Sequence, residues 1–418
     1  MKGTTRILPS LGLAALALLA AVPAGADTYN VDRFDDSTAN ACTLLTPQDC
    51  GLRGAIIRAN SNPGDDVVRL QAGTYTLSIP GAGENLCQTG DLDVTDTVLI
   101  VGSGPELTVA AAGGDSGVGD RVFDVLATGK RLTLRGLTVT GGGCPDTEDG
   151  GAIRCAGGSL RLETCVVSGN RAPDSGGAVI TSTSTAPGDL TEIVDSWITG
   201  NTAYYSILHV LTAHIERTTV SGNTLGYYAG TVEVFGEGSL LVDSTFEGST
   251  GSTGDASVLI WGTGAAIEGC TLLGDGGPAL GVATSGSATL SNTLVVGWCG
   301  LAGQLTSLGG NLESPSDTCG FEASDLVNVP DPGLSALGFF GGPAPVYQPL
   351  AGSPAVDAPI AAPSCPALDQ RGLSRPRDGG GSSQAVCDIG AVELAGEGEI
   401  FVETFESGFT TSWSEVAP

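Results

Sequence analysis

Seven times along this chain a short apolar stretch runs into a glycine, four times through a small polar residue, as in Cys165-Val-Val-Ser-Gly-Asn170. The glycines are Gly141, Gly169, Gly200, Gly222, Gly248, Gly274 and Gly297, separated by 28, 31, 22, 26, 26 and 23 residues. Two residues before each stands an apolar side chain: Val139, Val167, Ile198, Val220, Phe246, Leu272 and Val295. Seven before it stands another: Leu134, Leu162, Ile193, Ile215, Leu241, Ile267 and Leu290. Unbroken apolar columns at a loose repeat of this length mark a solenoid, whose units bury their apolar faces only by stacking.

The column four before the glycine is mostly small (Leu137, Cys165, Ser196, Thr218, Ser244, Cys270, Thr293). It shares a strand face with the column two positions on. The two apolar columns lie an odd five residues apart, so a bend must separate them. Five before the glycine the residues are turn-prone: Gly136, Thr164, Asp195, Arg217, Asp243, Gly269 and Asn292. Each unit therefore reads as strand, corner, strand and a longer loop, one rung of an all-β, right-handed parallel β-helix, the hand following from parallel crossovers. Apolar spacings of three and four, which a helical solenoid needs, are missing from the repeats. After the glycine come Asn170, Asn201 and Asn223, then Ser249 and Asp275, a column read as a structural hydrogen-bonding ladder.

One stretch has a helical period. In Cys50–Asn60, Leu52, Ala55, Ile56 and Ala59 fall on one stripe, which would cap the open end of the core. The expected organisation is a signal peptide over 1–26, a cap over 27–66, rungs over 67–307, a closing region over 308–394 and a tail over 395–418. The signal peptide rests on Lys2 and Arg6, the apolar run Leu11–Val22 and the Ala24-Gly-Ala26 cleavage pattern. No later run is long enough to span a membrane, so an exported monomer is expected, extracellular or at a cell surface.

Glycine, at 65 of 418 residues, is about twice the usual ~7%, which repeated tight corners explain. The net charge of −29 disfavours nucleic-acid or anionic-lipid partners. Aromatic residues are few (10 Phe, 7 Tyr, 4 Trp), which argues against a broad sugar-stacking platform. The eleven cysteines suggest disulfides in an exported chain: Cys42–Cys50, Cys144–Cys155, Cys299–Cys319 and Cys365–Cys387. Cys87 is left over and could instead take Cys42 or Cys50. Cys165 and Cys270, four rungs or roughly 19 Å apart, would be buried thiols.

Two segments resemble known modules. Cys50-Gly-Leu-Arg-Gly-Ala55 resembles the CSLREA motif at the start of bacterial exported β-helix proteins, with Gly54 where that family has glutamate. Asp369-Gln-Arg-Gly372, Arg375-Pro376 and Cys387-Asp-Ile-Gly-Ala-Val-Glu393 look like the choice-of-anchor Q domain, with Gly309-Gly-Asn-Leu312 and Ala351–Asp357 as its earlier motifs. That resemblance implies a closing module ahead of a sorting tail, here including Phe405–Trp413. Gly150-Gly-Ala-Ile153 and Gly176-Gly-Ala-Val179 also resemble repeats of outer-membrane adhesins.

Chemistry is sparse. Glu163, Glu192 and Glu216 do not share one column, and Asp195 and Asp243 sit two rungs apart, so neither set offers the carboxylate pair of a glycosidase. His209 and His214, the only histidines, read as exposed rung positions. Arg371, Arg375 and Arg377 beside Asp369 and Asp388 could clamp an anionic sugar, but Arg371 and Arg375 read instead as bidentate ion pairs holding the terminal coils. No catalytic, cofactor or metal residue is assigned. Calcium is a lesser expectation, at Asp91, Asp93 and Asp96 or at Asp65 and Asp66. The expected function is adhesion or surface display, with glycans or proteins as partners. The alternative is a polysaccharide lyase or glycoside hydrolase, which would show a basic residue facing two carboxylates on neighbouring rungs.

Overall fold

The computed structural model describes residues 25–113, 119–144, 149–172, 178–227, 229–251, 254–358, 365–381 and 385–394. The proposed signal peptide falls almost wholly outside them, as does the C-terminal tail. The chain is a parallel β-helix. Successive rungs build an eleven-stranded sheet, a ten-stranded sheet and a nine-stranded sheet, with a three-stranded strip at one corner.

The two apolar columns are the inward faces of the first two sheets. Leu134, Leu162, Ile193, Ile215, Leu241, Ile267 and Leu290 stand in register through the eleven-stranded sheet. Val139 through Val295 do so in the ten-stranded sheet. All fourteen are buried. The corner between them is a left-handed residue in every rung: φ is 65° at Gly136, 53° at Thr164, 51° at Asp195, 46° at Arg217, 45° at Asp243, 61° at Gly269 and 50° at Asn292. That single residue re-aims the chain and reconciles the odd spacing.

The segment read as a longer loop contains a third strand. Leu92–Val94, Phe123–Val125, Ile153–Cys155, Ala178–Ser182, Ser206–Val210, Gly230–Val234, Ala256–Ile260, Leu280–Val282 and Cys299–Leu301 make the nine-stranded sheet. The asparagine ladder forms as expected. Asn170 donates from its backbone and side-chain nitrogens to Asn201 Oδ1 at 3.0 Å, and Asn201 does the same to Asn223 Oδ1 at 3.0 and 3.1 Å.

The helix Leu52–Ser61 buries Leu52, Ala55, Ile56 and Ala59. Thr28–Asn30, ahead of the helix, already pairs in parallel with Asp66–Arg69. A Cβ on Gly54 would stand 1.9 Å from the Ala39 carbonyl oxygen, so a glutamate has no room there. At the far end, Leu312–Pro315 completes the ten-stranded sheet, and Cys319 and Phe321 cover the last of the core.

Residues beyond this cover run back along the outer face of the ten-stranded sheet. Gln370 accepts from Thr245 Oγ1 at 2.5 Å and donates to Thr219 Oγ1 at 2.7 Å. The Ala391 amide donates to Thr271 Oγ1 at 3.0 Å. Arg375 Nη2 stands 3.6 Å from Asp243, and Phe339 meets Trp197 edge-on. The closing region thus straps several rungs from the side.

Disulfides join Cys42–Cys50, Cys299–Cys319 and Cys365–Cys387, as expected from an oxidising compartment. Cys155 is not joined to Cys144: it faces the core in the nine-stranded sheet, its thiol on the Gly157 and Gly158 carbonyls at 3.3 Å. Cys87 is likewise a buried thiol, and so are Cys165 and Cys270, whose acidities burial suppresses. Among the described residues no helix is long and apolar enough to cross a membrane.

Candidate functional site

The outer face of the nine-stranded sheet gathers the chemistry. One register column runs Asp93, Asp124, Arg154, Thr181, His209, Glu233, Leu259, Gly281, Gly300. Their strands form because neighbours such as Leu92 and Val94, Leu208 and Val210, or Val232 and Val234 point into the core. Successive members of the column lie about 4.8 Å apart.

At its N-terminal end the column is buried and ionic. Carboxylate oxygens of Asp91, Asp93 and Asp124 lie within 4.8 Å of one another. Arg121 Nη1 reaches Asp91 at 3.0 Å, Asp124 at 3.4 Å and Asp120 at 3.5 Å. Arg154 Nε donates to Asp124 at 3.0 Å from the next rung, and Asp93 Oδ2 accepts the Cys87 amide at 2.7 Å. Asp96, expected in this group, instead pairs with Lys130 at 2.5 Å, and Asp124 takes its place. Asp66 binds the Asp27 amide and Asn62. Calcium takes six to eight oxygens. Here two guanidinium groups already hold Asp91 and Asp124, so the donor set fits an ion-pair network better than a cation cage.

Burial, followed by the Asp120 and Asp93 charges, pushes the Asp91 carboxyl up to about 8, and burial pushes Asp93 up to about 7. Asp243, buried under the strap, and Asp388, buried within it, are also raised to about 7. Acids raised above their unfolded value near 3.9 bind more protons when folded. Their stabilising contribution is therefore complete below about pH 4 and is lost as pH rises towards 8. The melting temperature should fall between pH 4.5 and pH 8, and Asp91→Asn should flatten that slope. A wild-type melting point that rises over this interval would contradict the assignment.

The middle of the column is aromatic and open. His209 stacks on Phe235 with centroids 4.4 Å apart, and Phe235 on Trp261 at 5.7 Å with planes 5° from parallel. Trp261 is 41% exposed. Beneath them Glu233 is buried, accepting from Trp261 Nε1 at 3.3 Å and standing 3.7 Å from His209 Nδ1. A recess of about 480 Å³ opens at the turn after Phe235, lined by Ser184, Pro187, Asp189, Leu211, Thr212 and Gly236. An exposed indole at the end of such a stack, beside an oriented carboxylate, can take a ligand with an apolar face and hydroxyl edges.

The other sequence candidates sit elsewhere. His214 lies on the eleven-stranded sheet, 3.5 Å from Glu216, so the two histidines do not share a site. Arg217 lies one rung from both Asp195 and Asp243 and pairs with Asp195 at 2.7 Å, so no carboxylate pair forms there. Glu163 and Glu192 hold Arg161 at 3.5 and 2.8 Å. Arg371 pairs with Asp369 at 2.6 Å, and Arg375 binds the Asp388 and Gly390 carbonyls at 3.1 and 2.7 Å. Both arginines are buried and structural.

The sequence reading missed Asp124, Glu233 and the aromatic stack. Low aromatic content is an average over the chain, and it conceals that several rings meet on adjacent rungs.

No family model matches the chain, and no curated protein matches it. Among solved structures it is similar to the A-module of mannuronan C-5 epimerase AlgE6 from Azotobacter vinelandii, with 15% identity over 72% of this chain and 91% of that one, at a TM-score of 0.35. The AlgE4 A-module of the same organism is 17% identical over 72% of this chain and 93% of its own, at a TM-score of 0.27. Likeness at that level carries no information on substrate or reaction.

Proposed function

We propose that this is an exported or cell-surface β-helix protein that binds extracellular glycans on the outer face of the nine-stranded sheet, in adhesion or surface display. The observation that carries the reading is the parallel Phe235–Trp261 pair above Glu233, with Trp261 open to solvent. The CSLREA-like cap and the choice-of-anchor Q-like strap agree with display at a bacterial surface. Affinity electrophoresis of the mature chain against a polysaccharide panel tests it. At least one glycan should retard the wild type, and Trp261→Ala should weaken that binding roughly tenfold. A panel without any retardation would remove the reading.

One observation favours the lyase or hydrolase alternative. Arg154 faces Asp124, Asp93 stands on the next rung, and His209 and Glu233 approach one another two rungs further on. Reducing ends or unsaturated products released from the same panel, with and without calcium, would favour this second reading over simple display.

A further inference from the structure

A second aromatic group lies at the other end of the same two strands. Tyr204 and Tyr205 lead directly into Ser206–Val210, and Tyr227 precedes Gly230–Val234. Tyr204 and Tyr227 are stacked on adjacent rungs, with centroids 5.5 Å apart and planes 13° from parallel, and Tyr205 meets each of them at 5.2 Å. Tyr227 is 44% exposed. At the far end of these strands stand His209 and Phe235, with Trp261 one rung on. A five-residue strand rises about 17 Å, so the two groups are separated by the length of a short oligosaccharide.

Between them the three strands open on the small, buried residues Ser206, Gly230 and Ala256, with the Leu259 and Glu233 side chains packed over Gly230. A Cβ on Gly230 would meet the Leu259 side chain at 2.8 Å and Glu233 Cγ at 3.1 Å, which places the bare glycine on the face that carries Glu233. In this stretch the outward titratable groups are His209 and Glu233, which stand 3.7 Å apart. No arginine or lysine rises from these three strands, and the chain carries −29 overall. A carboxylated or sulfated polymer would meet Glu233 here and no lysine or arginine on these three strands, the exposed Arg171 standing one rung before Thr202 at the tyrosine end.

We infer that the Tyr204–Tyr205–Tyr227 cluster is a second glycan subsite, and that an uncharged polysaccharide segment lies across the sheet, along the strands, gripped at both ends by aromatic rings. This rests on the glycan-binding reading and adds the ligand's charge class, minimum length and direction. Binding across the sheet leaves both ends of the polymer free, so the protein grips internal segments and not chain termini.

The test is calorimetric titration of the mature chain with neutral gluco-, xylo-, manno- and chito-oligosaccharides from disaccharide to hexasaccharide, with oligogalacturonate as the charged control. Affinity for a neutral series should climb with length until both ring groups are spanned. Tyr227→Ala should weaken the hexasaccharide roughly tenfold and leave the disaccharide unchanged, whereas Trp261→Ala weakens both. Circular dichroism of both variants controls for folding. If Tyr227→Ala leaves the hexasaccharide untouched while Trp261→Ala weakens it, the second subsite is wrong and the glycan-binding reading stands. Preference for oligogalacturonate overturns the charge class. Failure of the wild type to bind any member removes the glycan-binding reading, and this inference with it.

Discussion

Replacing Arg53 with methionine should cost about 3–5 kcal/mol of stability and loosen the N-terminal end of the β-helix before the rest. The Arg53 and Asp36 side chains are both fully buried, joined at 2.6 Å through Nε and 3.2 Å through Nη2. The remaining donors reach the carbonyls of Thr89 at 3.2 Å, Gly90 at 2.7 Å and Asp91 at 2.8 Å. Methionine fills similar volume yet leaves a buried carboxylate without its counter-ion and three carbonyls without donors. Asp36 keeps the Ser78 and Ile79 amides at 2.7 and 2.8 Å, which limits the loss without cancelling it. Urea unfolding followed by circular dichroism measures the change. A loss under about 1 kcal/mol would mean that water replaces the guanidinium, and the cap would then owe its hold to the helix stripe alone. Because Thr89–Asp91 leads into Leu92–Val94, the variant should also weaken the protection of Asp91 and Asp93 from solvent.

Asn201→Leu is the second large effect expected, at about 3–5 kcal/mol. Asn201 Nδ2 donates to Val167 O at 2.9 Å, Thr199 O at 3.1 Å and Asn223 Oδ1 at 3.1 Å, and its Oδ1 accepts twice from Asn170. Leucine ends all five bonds and leaves the buried Asn170 amide without a partner. Asn223→Leu should cost less: it is the last asparagine of the ladder, and beyond it Ser249 turns instead to Thr231, at 2.9 Å. Chemical denaturation of the two variants side by side checks the order. Equal losses would show that position in the ladder does not matter.

These effects bear on what a sequence can show. The inward columns and left-handed corners were legible because their spacing is fixed: five residues separate Leu134 from Val139, and five separate Leu290 from Val295. The next rung towards the N-terminus was hidden by its corner. Its column members are Ile100 and Ala110, ten residues apart, and Ala112 stands where later rungs have glycine. The nine-stranded sheet was read as loop because its distance from the repeat glycine changes from rung to rung. The site inherits that difficulty. Asp93 and Asp124 are 31 residues apart in sequence, and Glu233 and Trp261 are 28 apart, so only the register brings each pair together. Cysteine spacing found three bridges, because short loops favour local pairing. It failed at Cys155, whose rung position turns the sulfur inward beside Val125 and Ser182.

The strap over the ten-stranded sheet alters how such a chain can come apart. Where each rung touches only its neighbours, unfolding can begin at an end and proceed one rung at a time. Here residues near the C-terminus hold Trp197, Thr219, Thr245 and Thr271, which belong to four consecutive rungs, and the Gly390 amide reaches Asn292 on the next at 2.9 Å. Those rungs cannot open singly without releasing the strap from all of them. They are bound into one cooperative block, while the rungs before Trp197 keep the gradual melting of a simple stack. The Tyr204–Tyr227 stack and the Phe235–Trp261 pair lie on the rungs that the strap holds, so the surface proposed to take a polymer belongs to that cooperative block.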